Sequence, residues 1–315
     1  MTLRLVFMGS PQFAIPTLEA LYQEFEIVAV FSQADKPTGR GKILTPTPVK
    51  QAAQDLGLTC HEPESLKDSQ VLAILKELKP DAIIVVAYGK FLPKDVLNLP
   101  PLGCLNLHAS LLPRHRGPSP ISAALLSGDE QTGATVMLMD SGMDTGQILA
   151  QSIVQIGPAD TAGELHDKLM EQGAFLMVET IKTLAKKEIV SVPQDDSRAT
   201  YSKLLKKTDG LMNWNLDASR LDRIVRAMNP WPGAFFKMGR ESVRVWRGSP
   251  LEGHGQPGIV VEVTSRGVFV GTGRGLYCLE EVQAPSKQRI SAPDFARGKR
   301  LKPGASLTEG HEMIV

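Results

Sequence analysis

Cysteine is scarce in this chain: Cys60, Cys104 and Cys278 are three in 315 residues. They stand far apart, with no Cys-x-x-Cys pair and no histidine cluster beside them. A disulfide framework and a zinc site are therefore not expected, and no metal is called for. Apolar residues make up 42% of the chain, enough for real cores. No apolar run approaches the about 20 residues that a membrane-spanning helix needs. The amino terminus enters a strand-like run at once (Leu3 to Met8), without a signal or transit peptide. These absences predict a soluble, cytoplasmic protein with no membrane partner. Net charge is only +1, so the whole chain makes no electrostatic case for nucleic acid. Met8-Gly9-Ser10-Pro11 closes the first strand where a dinucleotide fold would carry Gly-x-Gly-x-x-Gly. The lack of that fingerprint disfavours nicotinamide and flavin chemistry, and no Walker lysine motif occurs either. Internal repeats and low-complexity tracts are also missing.

What is present alternates between strand-like and helix-like pieces. Strands are expected at Leu3–Met8, Ile27–Phe31 and Asp81–Ala87. The last, Ile-Ile-Val-Val, is of the kind buried on both faces. Helices are expected at Pro11–Glu24, at Thr47–Leu56 with Gly57 as its stop, and at Asp68–Leu78 ended by Pro80. Another follows at Ser119–Leu126, and a long one at Thr161–Lys187 opens with a Thr cap and Glu164 three residues on. Alternating β and α units predict a Rossmann-like, doubly wound, mostly parallel α/β sheet over residues 1–189. Residues 190–208 lack periodicity and read as a linker. Beyond them a helix at Leu216–Ala227 and short strands at close spacing (Val243–Trp246, Gly258–Val263, Val268–Gly271, Gly275–Glu281) predict a small OB-like β-barrel over 209–315. From Asp209 onward fifteen lysines and arginines face eleven acids. That surplus of four leaves the first 208 residues three charges acidic, and it hints at an anionic partner for the second domain.

The chain is organised around Cys104 to Pro120. Leu105 and Leu107 share one face of a strand, and Asn106 and His108 the other. Pro113, Gly117, Pro118 and Pro120 then forbid regular structure. An amide and an imidazole thus stand where a strand runs out, the usual place for ligands in a parallel sheet. A lone strand histidine is more often structural than catalytic; the pair at spacing two is what raises the functional reading. Ala134–Met139 and Gln147–Val154 read as strands flanking Asp140-Ser141-Gly142-Met143-Asp144-Thr145-Gly146. An Asp between glycines is commonly a turn residue, but Asp144, like His108, follows a strand.

Asn106, His108, Ser110-Leu111-Leu112-Pro113, Arg116-Gly117, Pro120-Ile121 and Asp144-Thr145-Gly146 together resemble the signature of the folate-dependent formyltransferases. The resemblance runs from about Leu3 to about Leu307, although His115 stands where relatives often carry an aromatic residue. It implies 10-formyltetrahydrofolate as co-substrate and direct formyl transfer to an amine through a tetrahedral intermediate. Asn106, His108 and Asp144 are then the catalytic residues: Asn106 a donor to the formyl oxygen, His108 a second donor if protonated, and Asp144 the holder of the imidazole or of a water that passes the proton. It further implies that folate lies against Ala87, Tyr88, Gly89 and Leu92 and against Met139 and Asp140, with Ser110, Leu111, Leu112 and Pro113 shaping the same cleft.

Ser32 to Pro46 is long for a connection between strand and helix, usually about 2–6 residues. It carries cations but no apolar anchor. Gly39-Arg40-Gly41-Lys42 resembles the finger found in the family branch that acts on methionyl-initiator tRNA, and Asn229-Pro230-Trp231-Pro232-Gly233-Ala234 fits the same branch. The expected tRNA contacts are Gly39, Arg40, Gly41, Lys42, Lys206 and Lys207, on a bacterial, monomeric enzyme. The alternatives are another formyltransferase (acting on glycinamide ribonucleotide or an amino sugar nucleotide), a formyltetrahydrofolate hydrolase, and a non-catalytic RNA-binding module.

Overall fold

The structure, a computed structural model, describes residues 2–38, 41 and 43–308. It divides into two compact units. The first comprises Met1–Pro120, Gln131–Gln155 and His166–Ser202; the second comprises Ile121–Glu130, Ile156–Leu165 and Lys203–Val315.

The first unit begins β1 (Arg4–Gly9), α1 (Ile15–Glu24) and β2 (Glu26–Phe31). The over-long segment that follows contains two short strands, β3 (Lys36–Thr38) and β4 (Ile43–Thr45), paired antiparallel. Gly41 is an exposed turn residue, whereas Gly39, Arg40 and Lys42 fall outside the described residues. Then come α2 (Pro48–Asp55), β5 (Cys60–His61), α3 (Ser69–Leu78), β6 (Ala82–Val86), α4 (Lys94–Leu97) and β7 (Cys104–His108); α5 (Pro120–Ser127), next in the chain, belongs to the second unit from Ile121 on. Two strands, β8 (Gln131–Leu138) and β9 (Ile148–Gln155), and the helix α6 (Ala162–Ala185) complete the series.

The helix starts follow their caps. Thr47 Oγ1 accepts from Lys50 N at 3.1 Å, Asp68 Oδ1 accepts from Gln70 N at 2.9 Å, and Thr161 and Glu164 exchange the hydrogen bonds of a capping box. Seven strands form one sheet in the order β5-β2-β1-β6-β7-β8-β9. The first five are parallel; β8 runs antiparallel to β7, and β9 antiparallel to β8. The sheet is thus mostly parallel, with β8 alone reversed and β9 again running with the first five. Every residue of β6 and β7 is buried, as a central strand covered on both faces requires. Leu107 shows what covers the apolar face of β7: a Cβ added at Gly173 of α6 would lie 2.7 Å from its Cδ2. Only a glycine lets the helix approach that closely.

The second unit contains an antiparallel β domain. Its elements are α7 (Ala218–Ala227), β10 (Ala234–Met238), β11 (Glu241–Leu251), β12 (Val260–Val263), β13 (Val268–Gly271), β14 (Leu276–Gln283), β15 (Ile290–Ser291) and α8 (Ala292–Lys299). The strands pair in the order β10-β11-β14-β13-β12, with β15 added on β14. Trp214, Leu221, Phe236, Val270, Leu279 and Phe295 lie in the core between sheet and helices. Among the described residues no helix is long and apolar enough to cross a membrane.

Candidate active site

Asn106 and His108 lie on β7, facing away from Leu107, about 6.6 Å apart by the rise of a strand. Both are buried. The His108 ring is held from two sides. Its Nε2 lies 3.0 Å from the carbonyl oxygen of His115, and its Nδ1 lies 3.7 Å from Asp144 Oδ2. A carbonyl only accepts, so Nε2 carries the hydrogen and Nδ1 of the neutral ring presents its lone pair to the carboxylate. At 3.7 Å that approach is too long for a direct hydrogen bond. Burial, opposed by the neighbouring Asp144 carboxylate, holds the His108 pKa below its ordinary value near 6.5, so the ring is neutral at neutral pH.

The sequence predicts that Asp144 follows a strand beside β7. It does, but that strand runs the other way. Leu138, the last residue of β8, sits opposite Leu105, near the beginning of β7. The loop that follows must therefore double back to bring Asp144 to His108. Internal bonds stiffen it: Asp140 Oδ1 accepts from Gly142 N at 2.9 Å and from Thr145 Oγ1 at 2.7 Å. Asp144 itself is left-handed, with φ of +55°. Its Oδ2 accepts from the backbone N–H of Gly117 at 2.7 Å. The carboxylate is thereby tied to the loop that follows β7 as well as to its own.

That second loop is braced from below. Ser110 Oγ donates to Arg114 O at 2.6 Å, Thr135 Oγ1 donates to Ser110 O at 2.6 Å, and Leu112 N donates to Thr135 Oγ1 at 3.1 Å. Gln151 Nε2 adds a bond to Leu112 O at 3.0 Å. Ser110 and Leu112 are therefore buried in the brace, and Leu111 and Pro113 are the partly exposed members of that quartet. After β6, Ala87 and Gly89 are exposed and left-handed, at φ of +48° and +77°. Tyr88 between them points its ring into the core, beside Leu92. Its carbonyl is spanned by Gln33 Nε2 at 2.8 Å. Met139 is half-buried, its N–H bonded to Cys104 O at 2.8 Å, and Asp140 is exposed. In the second unit Lys206 and Lys207 are exposed.

The structure also gives Arg116, named in the sequence without a role, and His115 partners that the sequence reading missed. Arg116 is buried, and its guanidinium donates to Gln194 Oε1 and, at 2.7 Å, to Asp196 Oδ1. Thr200 Oγ1 accepts from His115 N at 2.8 Å. Nothing local marks Gln194, Asp196 or Thr200, because Pro193 to Tyr201 has the composition of a linker. The thiols take no part: burial pushes Cys60 up to about 11 and Cys104 up to about 12, which leaves both protonated.

The formyl transferase family profile matches residues 3–181, and the profile described as the formyl transferase C-terminal domain matches residues 204–300. A methionyl-tRNA formyltransferase of Desulforamulus reducens is 43% identical over 310 residues, covering 97% of this chain and 98% of the relative. The chain belongs to the methionyl-tRNA formyltransferase family. Solved structures at lower identity share the fold of this family. WlaRD, a sugar 3N-formyl transferase, superposes with a TM-score of 0.66 at 15% identity, over 91% of this chain and 100% of that one. HypX of Aquifex aeolicus, in complex with tetrahydrofolic acid, superposes with a TM-score of 0.63 at 17% identity, over 99% of this chain. This chain spans about half of HypX, 49% of its length.

Proposed function

We propose that this enzyme transfers the formyl group of 10-formyltetrahydrofolate to the α-amine of methionyl-initiator tRNA, as bacterial cytoplasmic translation initiation requires. The observation that carries the reading is the approach of Asp144 to His108 beside Asn106, in a chain that matches its relatives from end to end. The second unit, with its own formyl transferase C-terminal match, argues for a macromolecular acceptor over a free nucleotide.

Folate fits the residues present. The exposed backbone at Ala87 and Gly89 and at Asp140 offers donors and acceptors for a polar heterocycle, and Leu111, Pro113 and Met139 offer apolar contact. The bound co-substrate supplies an activated formyl carbon on a nitrogen able to leave. The protein's residues do the rest. An α-amine has a pKa near roughly 8, which the ester lowers, so the nucleophile needs orientation more than a strong base. The Asn106 amide donates to the formyl oxygen as negative charge develops there. Because His108 is neutral, its first act is to accept: Nδ1 takes the proton released by the attacking nitrogen. The Asp144 carboxylate stabilises the imidazolium, and His115 O keeps the ring oriented through Nε2. The same proton then goes to the departing folate nitrogen.

The test is release of tetrahydrofolate from 10-formyltetrahydrofolate by the purified protein, with and without methionyl-initiator tRNA. Release that depends on the tRNA supports the reading. Equal release without it would assign a hydrolase, and no release in either case would leave an RNA-binding module.

A further inference from the structure

Residues 192–202 form a strap within the first unit, extended on either side of one 3-10 turn at Asp196–Arg198. Val192 exchanges two backbone hydrogen bonds of 2.9 Å with Ile148, the first residue of β9. Near its other end, Arg116 N donates to Thr200 O at 2.9 Å and Ser202 N donates to Arg116 O at 2.7 Å. Gln194 sits between these anchors with its amide fully used. Nε2 donates to the carbonyl oxygens of Asp144 (2.8 Å) and Gly146 (2.7 Å). Oε1 accepts from Nε (3.0 Å) and Nη2 (2.8 Å) of Arg116. Carbonyls only accept and a guanidinium only donates, so the amide has one possible orientation. The chain of contacts runs from Asp196 through Arg116 and Gln194 to the backbone of Asp144.

The Asp144 loop has need of such a hold. It leaves the sheet near the start of β7, and it keeps a non-glycine residue at φ of +55°. A left-handed conformation is unfavourable for a residue with a side chain and persists where the surroundings impose it. We propose that Gln194 is a positioning residue for formyl transfer: it clamps the carbonyls of Asp144 and Gly146 to the buried Arg116 and so sets the carboxylate against His108. The proposal rests on the roles assigned above to His108 and Asp144.

The decisive variant is Gln194→Glu. A carboxylate keeps the acceptor that Arg116 uses but puts an oxygen in place of Nε2, so that lone pairs instead of N–H donors face the carbonyls of Asp144 and Gly146. The expected result is a fall in kcat of about 10–100-fold, the scale of a misplacement near 1 Å, with the KM for folate little changed. Titration of 15N-labelled histidine gives the second readout. Asp144 and His115 are the titratable groups beside the His108 ring. The titration is read in Gln194→Asn, which adds no charge: with the carboxylate displaced and His115 unaltered, His108 should titrate lower there than in the unmodified protein. A strap that merely holds the fold together would lower Tm and leave both the His108 titration and kcat per folded molecule unchanged. Gln194→Asn, too short to span both partners, should act in the same direction if the Glu variant does not fold by circular dichroism. A folded variant with unaltered kcat and an unaltered His108 titration overturns the proposal. Failure of the functional reading is distinguishable. It would appear in the unmodified protein as no tRNA-dependent release of tetrahydrofolate, while the histidine titration would still report on the clamp.

Discussion

Asp144 and His108 meet although the strands before them run in opposite directions. Oδ2 of the one lies 3.7 Å from Nδ1 of the other, with β8 ending beside the start of β7. The pairing therefore depends on a folded-back loop, and a carboxylate faces a lone pair across a gap that a proton can fill.

The chemistry predicts the cost of removing each partner. Asp144→Asn and His108→Ala should each lower kcat by roughly two to four orders of magnitude, as for lost acid–base groups. Asn106→Ala should cost roughly two to three orders, as for a lost oxyanion donor. Folate affinity, read by equilibrium dialysis, should change little. Near-normal turnover in any one variant would remove that residue from the mechanism.

Burial of His108 has a pH signature. Its folded pKa lies below the unfolded value of about 6.5. As pH falls below about 6.5 the unfolded chain takes up a proton that the folded chain refuses, so unfolding gains; above that pH neither state holds the proton. Urea unfolding from pH 8 to pH 5 should show the unmodified protein losing stability relative to His108→Asn only in the acid half of that range, by at most about 1.4 kcal/mol per pH unit. A constant difference across the range would mean that the ring is not held neutral.

Gly146 is fixed by space. A Cβ there would lie 1.6 Å from the carbonyl oxygen of Leu138. Gly146→Ala must push the loop away from β8, at a cost of about 1–3 kcal/mol for overpacking. Because Gly146 is two residues from Asp144, kcat should fall along with Tm. An alanine variant with full turnover would show that the loop tolerates the displacement.

If Arg40 and Lys42 contact tRNA as the sequence leads us to expect, their variants will separate recognition from chemistry. We expect Arg40→Ala to weaken use of methionyl-tRNA far more than folate binding, and Arg40→Lys to rescue only part, since an ammonium cannot copy the planar fork. Lys42→Ala should mainly reduce the salt dependence. The measurement compares formylation of initiator tRNA with that of a tRNA whose first acceptor pair is a strong Watson–Crick pair. Unchanged efficiencies on both for Arg40→Ala would make the finger a bystander.

Much of this protein was determined by sequence alone, because the signals are local. The apolar run of β6, the Thr47, Asp68 and Thr161 caps and the period-two alternation of β7 act within a few residues, so the longer strands and helices of the first unit could be read directly, whereas short elements such as β5 and α4 could not. Asn106 and His108 share a face for the same reason. The direction of β8 was a tertiary matter: a strand has the same period whichever way it runs, and only pairing with Leu105 to His108 settles it. The brace around Asp144 was equally hidden. Gln194 meets Asp144 across 50 residues of chain and Arg116 across 78, and the segment that carries Gln194 is polar, aperiodic and proline-broken. Nothing in such a segment tells a free linker from a strap; only the hydrogen bonds it finds after folding do.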